Sequence, residues 1–327
     1  MSEAIDILVN ASNYSSNFSR SNHTICLPCD YITGVFHTIF INVAILGNGL
    51  IAITSLHSQH SGNSSIRSHL LNMCLVNFIA ISYWPLSIDW SFSHQWRTGE
   101  LTCMLNFQIK QACVYISFFH ATAISFCLYL TIVFNSQVTG KAWFVILKTA
   151  VPWVVVVASL YQNFQNGSRA IRYDEETRSC SMSEAKFLRM EGINRNGVML
   201  PLVLYFYLHI LFTVKRSTER FNKQEDGKVV QLAKMFAFGY GILVVGNLPS
   251  SILVLLDDQS PYLNTLNNIS NDLPFCLNPL AYILLNSSIK KQALRLLWPI
   301  LCCLLPPKYL SKTSLSMGAT RMTTITQ

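Results

Sequence analysis

Charge is scarce in this chain. Lysine, arginine, aspartate and glutamate make up 12% of its 327 residues, against 51% hydrophobic ones, where a soluble domain is nearer one quarter charged. So few charges call for an apolar solvent and set aside a soluble globular protein. Acids are scarcer than bases, 16 against 24, and none follows residue 285. The resulting net charge of +8 gathers at one end of the chain, so it reads as a topological signal and not as a nucleic-acid footprint. There is no internal repeat and no separate soluble domain. The opening MSEAIDILVNASN is too polar for the apolar core of a signal peptide. His120 and His209 have neither an acid partner nor metal-ligand spacing, so no enzyme and no cofactor is expected.

What is present is apolar length. Seven stretches, at roughly 31–56, 68–90, 104–134, 143–162, 196–214, 229–256 and 262–285, are each near or beyond the ~20 residues a helix needs to cross hydrocarbon. Lipid offers backbone groups no water, so helices are the economical spanning form. The expected fold is an all-α membrane protein, a seven-transmembrane helix bundle over 31–285 with a lipid bilayer around it. The first stretch then serves as the targeting signal.

Both ends carry orientation signals. The first 30 residues hold one basic residue, Arg20, and four glycosylation acceptor patterns, at Asn10, Asn13, Asn17 and Asn22, which argue for an extracellular, glycan-bearing tail. Residues 286–327 carry Lys290, Lys291, Arg295, Lys308, Lys312 and Arg321, and the loop between stretches five and six carries Lys215, Arg216, Arg220, Lys223 and Lys228. Basic flanks belong in the cytoplasm. Seven crossings put the two ends on opposite sides, so the signals agree on a multi-pass plasma-membrane protein.

The ten cysteines sort by side. Cys103 and Cys180 are expected outside, where disulfides persist, and a bridge between them would pin the long fourth-to-fifth loop over the bundle. Cys26 and Cys29 either pair together or remain free. Cys74, Cys113, Cys127 and Cys276 are small packing residues inside helices. Cys302 and Cys303 end an apolar run too short to span, after an amphipathic segment from Ser287 to Leu297. Residues 286–304 thus read as a helix on the inner leaflet, its cysteines either palmitoylated or simply buried, followed by a cytoplasmic tail over 305–327.

The polar residues and prolines of the spans form a series. LGNGLI places Asn48, LLNMCLVNF places Asn72 and Asn77, and WRTGELTC joins Trp96, Gly99 and Cys103. VPWVV supplies Trp153, MLPLVLYFYLHI Pro201, VVGNLPSS Pro249, and CLNPLAYILLNSSIKKQ Asn278, Pro279 and Tyr282. In this order, one set per span, they resemble a rhodopsin-like (class A) G-protein-coupled receptor over about residues 31–300. The resemblance implies a cell-surface receptor that passes binding of an extracellular ligand to a heterotrimeric G protein. It also implies an amide cluster of Asn48, Asn77 and Asn278, and three proline-softened helices at Pro201, Pro249 and Pro279.

Against that family the chain has gaps. In SFCLYLTIVFN, Cys127 and Leu128 occupy the places of an acid and an arginine, and only Tyr129 of the triplet remains. Arginine can exchange between a carboxylate and a partner surface because it is permanently charged with five donors; leucine cannot, so the family's inactive-state latch cannot form. Asn77 replaces the usual aspartate, so a sodium effect is not expected. Asn247 replaces a tryptophan, His209 a tyrosine, and Pro274 an asparagine. These departures keep open a non-coupling receptor of the same fold: a decoy, scavenger or heteromer partner. A transporter is the remote alternative, opposed by the lack of an inverted repeat or a spanning chain of charges. A retinal photoreceptor fails because no lysine lies between 262 and 285.

Two ionisable residues mark a candidate ligand site. Lys110 lies two turns inside Cys103, roughly 10 Å along a helix, and Asp272 lies two turns before Pro279. The resemblance places these two positions across the outer cavity, on the third and seventh helices, and charges within a membrane usually pair, so a Lys110–Asp272 ion pair is expected, with Asp89 as the rival partner of Lys110 and a permanent bridge without a ligand role as the alternative. A carboxylate or phosphate could compete for Lys110, an amine for Asp272. Trp84, Trp90, Gln111, Tyr115 and Asn268 would line the pocket. The mixed charges of loop 163–195 fit a plain charged surface loop, or alternatively a hairpin or lid.

Overall fold

The computed structural model describes residues 27–57, 64–165, 171–174, 179–182, 198–217, 223–256 and 261–304. The glycan acceptors at 10–22, the tail from 305 and the neighbouring residue Cys26 lie outside them. The spans are α1 (Leu27–His57), α2 (Ser64–Ser82) continued by α3 (Trp84–Ser93), α4 (Glu100–Val133), α5 (Ala142–Gln165), α6 (Leu200–Ser217), α7 (Lys223–Leu256) and α8 (Pro261–Leu285). α9 (Ser287–Leu304) follows, and a hairpin of β1 (Ile171–Asp174) and β2 (Ser179–Met182) sits between α5 and α6.

Burial is arranged for lipid. Leu46, Ile146, Leu208 and Val245 are each about two-thirds exposed, whereas Asn48, Asn77, His120, Asn278 and Asp272 are buried. A water-soluble bundle would place these two sets the other way round. By length and hydropathy, Pro28–His57, Ile66–Ser93, Glu100–Val133 and Gln231–Pro249 suffice to cross a bilayer, and Ala142–Ala158 and Leu200–Thr213 are shorter apolar helices. α8 is less apolar because Asn267, Asn268, Asn271, Asp272 and Asn278 lie on it.

The second stretch is broken, not continuous. Pro85 stands at the start of α3 and lacks the N–H that would continue the ladder. The Tyr83 carbonyl instead accepts from Leu86 N–H at 3.1 Å. α3 ends at His94, whose left-handed backbone (φ 54) lets its N–H reach the Trp90 carbonyl at 2.8 Å. Gly99, at φ 83, then opens α4, a turn that favours glycine. Trp96 Nε1 donates to the Gly99 carbonyl at 2.9 Å, and Trp96, Cys103, Trp90 and Tyr173 pack together. This fixes the hairpin side of the bundle above α4.

α4 packs against α2, α5, α6 and α7, while α8 packs along α7 and α1. The α7–α8 approach depends on Gly246: a Cβ there would lie 2.7 Å from the Ser270 carbonyl oxygen and 2.8 Å from the Pro274 ring. Pro249, Pro274 and Pro279 are interior to their helices. Pro201 is the second residue of α6, and Val198 and Met199 before it already lie in a wider helical turn. α9 runs from Ser287 through Pro299 to Leu304; Ile289 and Ala293 are buried while Lys290, Lys291 and Arg295 are exposed.

Candidate functional site

Towards the Cys103 end, three spans meet at one carboxylate. Asp272, from α8, is completely buried. His37 Nε2, from α1, lies 2.8 Å from its Oδ2. Lys110 Nζ, from α4, lies 3.3 Å from each oxygen and donates to Oδ2. The expected pairing is therefore present, and α1 joins it as well. His37 is buried against Trp84, the rings stacked 6.1 Å apart at 14°. Asp89, the rival partner, instead faces Arg97 at 3.8 Å. Asp30 is held by His94 at 3.2 Å.

The proposed lining divides. Gln111 and Tyr115 are half-buried on α4, near Lys110 in sequence, and Asn268 is half-buried on α8 one turn before Asp272. Trp84 is buried as the support of His37. Trp90 belongs to the cluster around Trp96 and Cys103. Cys103 and Cys29 are each disulfide-bonded, which removes the reading of Cys29 as a free thiol. Tyr173 pairs with Cys180 in the hairpin register, so this loop contains a hairpin and is not merely a charged surface loop.

Deeper in the bundle, the amide cluster is partly assembled. Asn77 donates to Asn48 Oδ1 at 2.7 Å, and Asn48 donates to the carbonyls of Ala44 and Phe275 at 2.8 and 3.1 Å. Asn278 does not join them. Its Oδ1 has no hydrogen-bond partner among the described residues, and it lines a small internal cavity with His69, Ser117, Tyr240 and Tyr282. Asn247 is buried and donates back to the Leu243 carbonyl at 2.8 Å. A second polar set joins α2, α4 and α5: Trp153 Nε1 donates to Asn72 Oδ1 at 3.0 Å, and the Asn72 amide meets the His120 ring.

At the α6 side, Cys127 and Leu128 are buried and Tyr129 carries the inter-helix contacts. Its ring centroid lies 5.1 Å from Phe206, 5.4 Å from His209, 5.4 Å from Phe134 and 6.2 Å from Tyr205. Rings at such spacings attract through their quadrupoles. Apolar packing thus occupies the place of a charged latch.

Sequence reasoning passed over His37, His69 and Lys148, all buried within apolar stretches. An ionisable residue inside a span is signal enough to have marked them.

Comparison with known proteins agrees with this architecture. The chain is 25% identical over 302 residues to the rat (Rattus norvegicus) C-X-C chemokine receptor type 3, covering 87% of this chain and 78% of that one. It is 20% identical over 235 residues to cysteinyl leukotriene receptor 1 of Cavia porcellus, with 64% and 67% covered. Against the rat succinate receptor 1 it is 22% identical over 222 residues, with 65% and 70% covered. The model of the 7 transmembrane receptor (rhodopsin family) matches residues 47–287, and the chain belongs to that family of G-protein-coupled receptors, multi-pass proteins of the plasma membrane and not enzymes.

Proposed function

We propose that this receptor binds an extracellular ligand beside Lys110 and signals through a heterotrimeric G protein. The carrying observation is the Lys110–Asp272–His37 cluster, which ties α4, α8 and α1 together inside the bundle. A ligand that alters one of these contacts changes how three spans pack, and a packed bundle responds by moving between discrete arrangements. The named ligands of the relatives differ widely, chemokines, leukotrienes and succinate, and none of them is assigned to this chain.

In this reading the amino end, with glycans on Asn10, Asn13, Asn17 and Asn22, faces outward, and a Cys103–Cys180 bridge holds the hairpin over the site. The carboxyl end faces the cytoplasm, with Cys302 and Cys303 acylated at the inner leaflet. Coupling runs through α7 and α8, deformable at Pro249 and Pro279, and past Asn278 and Tyr282.

A non-coupling receptor is the second reading, favoured by the burial of Leu128 and the ring contacts of Tyr129. Two measurements separate the readings. Epitopes at the two termini, probed on intact cells, should show only the amino end; both termini on one side would refute the topology. Basal signalling is then compared between the wild type and Leu128→Arg. Wild-type signalling supports coupling, whereas surface-expressed but silent forms of both support the decoy.

A further inference from the structure

The charged cluster is asymmetric in a way that selects its ligand. Asp272 has no exposed surface, while Lys110 is 28% exposed. An arriving amine would have to displace both Lys110 and His37 to touch the carboxylate, whereas the partly exposed Lys110 side chain leaves an anion a way in. The distances point the same way. Charge-assisted N–H···O contacts normally span about 2.7–2.9 Å. Lys110 donates to Asp272 over a long 3.3 Å, while His37 Nε2 sits closer, at 2.8 Å, but is not aligned for a hydrogen bond. An ammonium carries three donors, so Lys110 can bind an oxyanion while leaning on Asp272, or leave Asp272 altogether.

His37 makes that departure cheap. A buried carboxylate deprived of its only cation would be strongly disfavoured, but Asp272 keeps a partner when Lys110 turns away. Of the other acids whose side chains are described near this end, Asp30 and Asp89 face His94 and Arg97, and Glu100 is exposed at the start of α4. Resting on the receptor reading above, the geometry points to a small organic oxyanion, a carboxylate or phosphate monoester, as the ligand class. Lys110 is its recognition residue and His37 the group that holds Asp272 in reserve.

The experiment uses purified full-length receptor and thermal unfolding at constant ionic strength. Butyrate, succinate and phenyl phosphate are the anionic probes; butylamine, putrescine and phenethylamine are the cationic ones. At least one anion should raise the wild-type midpoint by several degrees, and no amine should do so. In Asp272→Asn the competitor of Lys110 is gone, so the same shift should appear at about tenfold lower anion concentration. The double variant Lys110→Gln/Asp272→Asn strands neither charge, and in it the anion response should vanish. Stabilisation by amines that Asp272→Asn abolishes would overturn the proposal. So would an anion effect that survives in the double variant, or no anion effect in both the wild type and Asp272→Asn. Binding to detergent-purified protein is read without any G protein, so a failure of coupling leaves this result standing and the two readings fail separately.

Discussion

Removing either member of the Lys110–Asp272 pair should not cost the same. At 3.3 Å and an effective dielectric of about 20, the gross attraction is about 5 kcal/mol, most of it offset by desolvation. Lys110→Met leaves a fully buried carboxylate with His37 alone, a loss of about 2–3 kcal/mol. Asp272→Asn leaves Lys110, whose partly exposed head can turn to water, a loss of about 1 kcal/mol. The double variant should be no less stable than Asp272→Asn, because no charge is stranded. At about 2–4 °C per kcal/mol for a chain of this order, the midpoint should fall by about 4–12 °C, about 2–4 °C and no more than the latter, respectively. Cys74, Cys113, Cys127 and Cys276 are free and buried, so a thiol-reactive fluorophore reports unfolding directly, at one fixed scan rate. If Asp272→Asn proved the costlier single change, or the two losses simply added, the burial argument would be wrong.

Other perturbations test neighbouring parts. Gly246→Ala places a methyl group 2.7 Å from the Ser270 carbonyl and should cost about 1–3 kcal/mol, read as a lower midpoint and reduced surface expression. Gly241→Ala, with nothing within 4 Å, should leave both nearly unchanged. Tyr129→Phe keeps the four ring contacts and should match the wild type, while Tyr129→Ala should lower the midpoint and alter basal signalling; equal behaviour of the two would deny the rings a role. Asn72→Leu deprives both Trp153 and His120 of a partner and should cost about 1–3 kcal/mol, with Trp153→Phe recovering part of that loss when combined with it.

Seven apolar stretches were legible because hydrocarbon demands length, and length is written plainly in a sequence. Their ends were less so. The break at Tyr83 follows from Pro85, yet a proline in an apolar run can equally kink a helix or stop it, and only the packing of α3 decides. Lys110 and Asp272 could be paired because the family resemblance set their positions across one cavity and charge in a membrane seeks charge. His37 escaped notice since a single histidine in GVFHTIF has no periodic pattern, and its partner is 235 positions away in sequence. Asn278 shows the opposite failure: the motif names the residue, but whether its amide reaches Asn48 depends on how α8 sits against α7, which Gly246 and Pro274 set through direct contact.

The missing arginine can now be weighed physically. A charged latch opens when a partner offers its cation another carboxylate or carbonyl, so it couples the bundle to a protein surface. The contacts of Tyr129 with Phe206 and His209 are short-ranged and largely apolar, and they give a partner no charge to capture. Such packing holds α4 to α6 without making their separation responsive to one incoming group. The only ionic tie among the described residues that joins three spans is then the one at Asp272. If this bundle switches, its electrostatic trigger lies at the Lys110 end, and the Tyr129 end follows by repacking of rings.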